Sequence, residues 1–98
     1  MRLKEIERLV LPACRKFEVK RLDIFGSVAR GQEEDPRDLD LLVEFDKPGH
    51  LPSKRFFGLL HHLEDVFDRP IDLVTMSGIR NPYFRERVMR ERKSVYEG

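Results

Sequence analysis

Residues Phe25–Asp40, FGSVARGQEEDPRDLD, decide how this chain is read. The stretch begins as the end of a strand. Gly26 breaks that strand, and Ser27 is placed to cap a short helix through Arg30. Gln32 to Arg37 is a polar loop, and then two aspartates stand two residues apart. Both halves of a nucleotide site lie within one short segment. Glycine lets backbone approach a phosphate closely, amides at a helix start favour an anion, and the Ser27 hydroxyl can donate one more bond. Arg30, one helical turn on, reaches the same side. Asp38 and Asp40 can hold the Mg²⁺ that accompanies a triphosphate.

The strand that follows is the clearest in the chain. From Asp38 to Phe45, Leu39, Leu41, Val43 and Phe45 alternate with Asp38, Asp40, Leu42 and Glu44. One face is built to pack and the other carries the acids. Residues i and i+2 of a strand project from one face, roughly 7 Å apart. Two carboxylates so placed repel each other unless a cation sits with them. Mg²⁺ prefers hard oxygen ligands, one or two carboxylates with substrate phosphates and water. Ile71–Met76 reads as another strand, and Asp72 points away from the face of Ile71 and Leu73. If the two strands are neighbours, Asp72 joins Asp38 and Asp40. Three carboxylates then serve two metal ions, or one metal and a base. Taken singly, each feature has a plainer reading. D-x-D pairs occur on exposed strand edges, Gly-Ser is common, and Asp72 follows Pro70 where a capped turn would also fit.

Outward from this motif the chain alternates helix and strand. Residues 2–17 read as a helix with Leu3, Ile6, Leu9 and Val10 at helical spacing, bent or ended near Pro12. Val19–Phe25 is a strand. Lys47–Ser53, with two prolines and a glycine, is a loop. Residues 53–68 form an amphipathic helix with Phe56, Leu59, Leu60, Leu63 and Phe67 on one stripe. Residues 81–92 form a basic helix whose first turn suits Pro82. Ser94–Tyr96 adds a short edge strand. At 98 residues this predicts one domain, 1–98, of two-layer α/β or α+β architecture.

Composition narrows the function classes. Charged residues make up 38% of the chain, and no apolar run approaches the roughly 18 residues of a membrane span. The single cysteine, Cys14, excludes an internal disulfide. The charged N-terminus lacks the apolar region of a signal peptide, so a cytoplasmic location is expected. The net charge of +1 hides segregation: seven acids and one base from Glu33 to Asp46, six bases and two acids from Arg80 to Lys93. The basic helix around Arg85, Arg87 and Arg90 suits a protein partner or an incoming triphosphate. Glu86 and Glu91 dilute the case for nucleic acid. His61 and Asp65 supply two ligands at most, too few for a zinc site.

Gly26-Ser27-Val28-Ala29-Arg30-Gly31 followed by Arg37-Asp38-Leu39-Asp40-Leu41-Leu42-Val43, with Ile71-Asp72-Leu73-Val74 beyond, resembles the nucleotidyltransferase superfamily of DNA polymerase β-like folds. More narrowly it is similar to the minimal nucleotidyltransferases, small members often encoded beside a HEPN-domain partner. The resemblance spans nearly the whole chain. It implies a mixed, largely antiparallel sheet backed by helices. It also implies Mg²⁺-dependent transfer of a nucleoside monophosphate from an NTP, with ATP the expected donor of AMP, to an acceptor hydroxyl, with release of pyrophosphate. Gly26, Ser27 and Arg30 would hold the nucleotide; Asp38 and Asp40 would carry the metals, two ions in all. Asp72 would be the third carboxylate, a metal ligand or the base at the acceptor. In paired systems such members act as antitoxin to a HEPN toxin, and some adenylylate a tyrosine on it. The family often has Ser before the first aspartate; Arg37 stands there instead. Two functions follow: an adenylylating enzyme, or a binding module that neutralises its partner by covering it.

Overall fold

A computed structural model describes residues 1–31 and 35–98. The elements follow the order α1 (Leu3–Lys16), β1 (Val19–Phe25), β2 (Leu39–Phe45), α2 (Pro52–Phe67), β3 (Ile71–Val74), a 3₁₀ turn at Met76–Gly78, α3 (Pro82–Glu91) and β4 (Lys93–Glu97). The four strands form one sheet in the order β3-β2-β1-β4. β1 pairs antiparallel with both β2 and β4, while β2 and β3 run parallel. This is the mixed, largely antiparallel sheet flanked by helices that the sequence predicts.

The parallel pair follows from the connection. Strands joined by a tight turn run antiparallel, whereas a crossover helix returns the chain in the same direction. α2 is that crossover. Leu59, Leu63 and Phe67 recur at i, i+4 and i+8, and all are buried. They meet Ile6, Val10, Ala13 and Cys14 of α1 over the sheet residues Leu22, Ile24, Leu39, Leu41 and Val43. This is the main core. Phe56 and Leu60 pack at its margin. α2 begins one residue earlier than expected, with Pro52 in its first turn, and is bracketed by Leu51 and Asp68 in the left-handed conformation.

Tertiary packing decides two local readings. The helix read over 2–17 forms as Leu3–Lys16, so of the two readings of Pro12, an end to the helix is excluded. Val10 precedes the proline and Ala13 and Cys14 follow it, all fully buried, so packing on both sides outweighs the lost backbone bond. The segment after Gly26 is a run of turns through Gly31 rather than a helix capped by Ser27. Arg30 N–H donates to Gly26 O at 3.1 Å and Gly31 N–H to Val28 O at 3.0 Å, which closes a tight loop. Val28 and Ala29 are buried beneath it in the main core. The rest of the expected polar loop, residues 32–34, lies outside the described residues.

The second face of the sheet is covered too. Phe25, Leu42, Ile79 and Val88 form a smaller core with Val74, Met76 and Phe84 packed against it. Leu42, read as part of the acid-bearing face, is therefore buried. α3 makes this core, starting where Asn81 Oδ1 accepts from the backbone N–H of Tyr83 at 2.9 Å and of Phe84 at 3.2 Å. Its far end is tied by charge. Asp23 on β1 is 1% exposed. It accepts from Arg21 Nε at 2.9 and 3.1 Å, and Arg92, which caps α3, approaches at 3.5 Å. A buried carboxylate needs such partners, because desolvation makes an isolated one untenable.

The Asp23 network generates a stability prediction. Asp23→Ala takes the buried anion from Arg21 and Arg92, leaving Arg21 only the exposed Glu97 at 3.7 Å, and opens space beside β1. It should cost about 2–4 kcal/mol. Thermal unfolding followed by circular dichroism should show a Tm at least about 8 °C below the parent. A Tm within about 2 °C would show that the arginines find solvent at no cost.

Candidate nucleotide and metal site

Five of the six residues singled out in the sequence line one cavity of about 310 Å³: Gly26, Ser27, Arg30, Asp40 and Asp72. Phe25, Phe84, Arg87 and Glu91 complete its walls. Larger hollows exist, including one of about 710 Å³ beside α1 and Arg69, but it contains none of the sheet aspartates.

The sheet register builds the floor. Asp40 and Asp72 are direct partners across the parallel β2–β3 pair. Their neighbours Leu39, Leu41, Ile71 and Leu73 point into the main core, so strand alternation sends both aspartates to the opposite face. Asp38 sits on the bend before β2 and is exposed. It does not line the cavity, although its charge acts on Asp40. Among the described residues, no three His, Cys, Asp or Glu side chains already stand together as a metal cage.

Gly26 presses on the floor from above. Its φ is +76°, in the left-handed region, and a Cβ there would overlap Asp40 Oδ2. Glycine is thus required twice, by backbone angle and by the carboxylate seated against it. Burial pushes the Asp40 carboxyl above its ordinary range, and the like charges of Asp72 and Asp38 push it the same way. Arg30 and Arg87 act in the opposite sense. An acid crowded by like charge fits a divalent cation, which would reverse that penalty, and the donors are the hard oxygens such an ion takes.

α3 supplies Phe84 and Glu91, which the sequence reading did not assign to the site, and Arg87, which it grouped with Arg85 and Arg90 as suited to a partner or an incoming triphosphate. Phe84, Arg87 and Glu91 fall at i, i+3 and i+7, on one helical face, and that face closes the cavity. Phe84 packs edge-on against Phe25, centroids 5.9 Å apart, and the Arg87 guanidinium lies 5.6 Å from the Phe84 ring centre. The i, i+3, i+7 spacing was visible in the sequence. What was missing was the evidence that α3 lies over the sheet, which the burial of Leu42 and Val88 supplies. Arg85 and Arg90, grouped with Arg87 by composition, do not line this cavity. Arg37 is exposed and likewise lies outside the lining.

Known proteins resemble this chain in sequence and fold. The sequence profile of the family described as "Polymerase beta, Nucleotidyltransferase" matches residues 10–98. A Methanocaldococcus jannaschii relative, provisionally named a protein adenylyltransferase, is 35% identical over 95 residues, spanning 97% of this chain and 99% of its own. Protein adenylyltransferase MntA of Thermococcus cleftensis is 34% identical over 85 residues, 81% of this chain and 82% of its own. A solved structure provisionally described as a minimal nucleotidyltransferase superposes with a TM-score of 0.72 at 34% identity, covering 95% of each chain. The same fold recurs at lower identity in two complexes. One is a toxin–antitoxin crystal structure with AMP-PNP (TM-score 0.69, 19% identity, 94% of this chain and 73% of that one). The other is a tri-AMPylated Shewanella oneidensis HEPN toxin with its MNT antitoxin (TM-score 0.67, 16% identity, 99% and 74%). This chain belongs to the polymerase β nucleotidyltransferase family, in its minimal form.

Proposed function

We propose that this nucleotidyltransferase transfers AMP from ATP to a hydroxyl on a HEPN-type protein partner and so acts as the antitoxin of a toxin–antitoxin pair. One observation carries the reading. Asp40 and Asp72, paired in register, share a cavity with the Gly26–Ser27 turn and two arginines. The adenylyltransferase names of the relatives support AMP as the transferred group. The two complexes of like fold support ATP and a HEPN partner.

In this reading the turn amides and the Ser27 hydroxyl donate to the phosphates. Arg30 and Arg87 reach the same cavity from the turn and from α3 and offset the charge that develops on transfer. Asp38, Asp40 and Asp72 would hold Mg²⁺, two ions, with the first two as its main ligands. Bound Mg²⁺ supplies charge neutralisation at the leaving pyrophosphate and a more acidic acceptor hydroxyl. Where Asp72, exposed on its strand, is not itself a metal ligand, its carboxylate would accept the proton of that hydroxyl. The hydroxyl oxygen bonds to the α-phosphorus as the bond to the bridging oxygen breaks, and pyrophosphate departs. The acceptor comes from the partner.

The decisive assay is label transfer from α-phosphate-labelled ATP with Mg²⁺ into host-cell extract. Wild type should label a discrete protein band, and Asp40→Asn should lower the rate about 10³-fold or more. An Asp40→Asn protein that labels as wild type does would remove the metal role. Neutralisation of a captured partner with no label from any NTP would leave a binding module.

A second prediction comes from the crowded acid. Its carboxyl is raised in the folded chain, so the ionised form costs stability above that folded pKa. The cost is relieved as pH falls through the folded value towards the unfolded one. Metal-free Asp40→Asn should therefore melt above wild type at pH 7, with the gap closing towards pH 4. Adding Mg²⁺ should raise the wild-type Tm and leave the variant unmoved. Equal metal shifts in both proteins would count against Asp40 as a ligand.

Gly26→Ala should both destabilise and disable. The left-handed angle alone costs about 1–2 kcal/mol, before Asp40 is displaced. Binding of ATP by calorimetry should weaken at least about tenfold, by the same transfer of strain into the site. Unchanged binding would show that the turn does not set the phosphate position.

A further inference from the structure

Among the described residues, Glu91 is the one carboxylate lining the cavity that the transfer reaction does not use. It closes α3, and its Oε2 accepts from Arg30 Nη1 at 3.0 Å. The two residues are 61 positions apart, so only the tertiary fold brings them together. Glu91 is well covered, with 17% of its side chain exposed, against 38% for Arg30. The next residue, Arg92, is held at the buried Asp23, so the end of α3 is anchored independently of the Arg30 contact. Among the described residues, the charged groups lining the cavity are Arg30 and Arg87 against Asp40, Asp72 and Glu91. These walls already carry more acid than base before a polyanion arrives.

We propose that Glu91 is an internal stand-in for the nucleotide phosphates. It keeps Arg30 oriented at the cavity while the site is empty, and the incoming triphosphate takes its place on the guanidinium. The inference rests on the reading that this cavity receives an NTP. Two effects of Glu91 oppose each other. It orients Arg30, which favours binding, and it repels a ligand that carries several negative charges. Orientation of one surface-reaching side chain is a small effect, whereas repulsion grows with every charge on the ligand and is weakly screened in a partly closed cavity. Repulsion therefore wins. Glu91 weakens nucleotide binding, and the exchange leaves Arg30 paired at every stage.

The test is calorimetric binding of α,β-methylene-ATP with Mg²⁺, a triphosphate that cannot be cleaved at the α–β bridge, alongside adenosine, which carries no charge. Glu91→Gln should lower the Kd for the triphosphate about fivefold and leave that for adenosine unchanged, following ligand charge. A cavity merely loosened by the substitution would shift both ligands alike, and that result overturns the proposal. Triphosphate binding unchanged or weakened in Glu91→Gln, with the wild type saturable, also overturns it and leaves the nucleotide reading intact. No saturable binding by either protein overturns both. Glu91→Met, which keeps the length and apolar stem, repeats the comparison if Glu91→Gln melts far below the parent.

Discussion

Two carboxylates held side by side against their mutual repulsion are the constraint around which this molecule is built. Asp40 and Asp72 meet because β2 and β3 run parallel, and they run parallel because α2 carries the chain back across the sheet. The main core exists to enforce that pairing. Leu39, Leu41, Ile71 and Leu73 fill it from the same two strands, and a slip of one residue would expose all four while burying the acids. Hydrophobic burial on one face thus fixes an unfavourable charge arrangement on the other. Such an arrangement persists only where something else gains from it, which is why crowded acids mark sites.

The opposite wall is held in another way. α3 is a short, polar helix with one fully buried apolar residue, Val88. Its position depends on side-chain ties at both ends: Asn81 capping the start, Phe84 against Phe25, and Arg92 on Asp23. The floor of the cavity is therefore set by the sheet and the lid side by a few polar and aromatic contacts. The floor belongs to the core, and the α3 wall rests on contacts that local opening can release without disturbing it.

Much of this was legible in the chain. Alternation in 38–45, helical spacing in 53–68 and the strand around Asp72 gave the elements within a residue or two. They also put Asp40 and Asp72 on one face provided the two strands are neighbours, which the parallel pairing makes them, while Asp38, read into the same strand, lies on the bend before it. What stayed hidden was tertiary. Pro12 reads as a breaker unless the burial on both sides is known. Ser27 reads as a helix cap, but the chain closes in turns over Val28 and Ala29 instead. Asp23 and Arg55 look like ordinary surface charges. Yet Asp23 is buried between arginines, and Arg55, 4% exposed, donates to the carbonyls of Asp46 and Lys47 and stacks on Phe45. Periodicity reports which way a side chain points, not which element will cover it. For that reason the α3 face of the cavity could not be assigned from spacing alone.

The seat between Gly26 and Asp40 has a consequence for how sequences of this kind can drift. The oxygen occupies the space that any side chain at position 26 would need, so position 26 is not free to change while Asp40 stands there. A substitution at 26 either evicts the carboxylate or is purged with the fold. Once the acid is gone, however, the restraint on crowding is lifted and only the backbone angle still asks for glycine. Among descendants of this chain, a side chain at position 26 would therefore mark a lineage in which the carboxylate has already been released from its work.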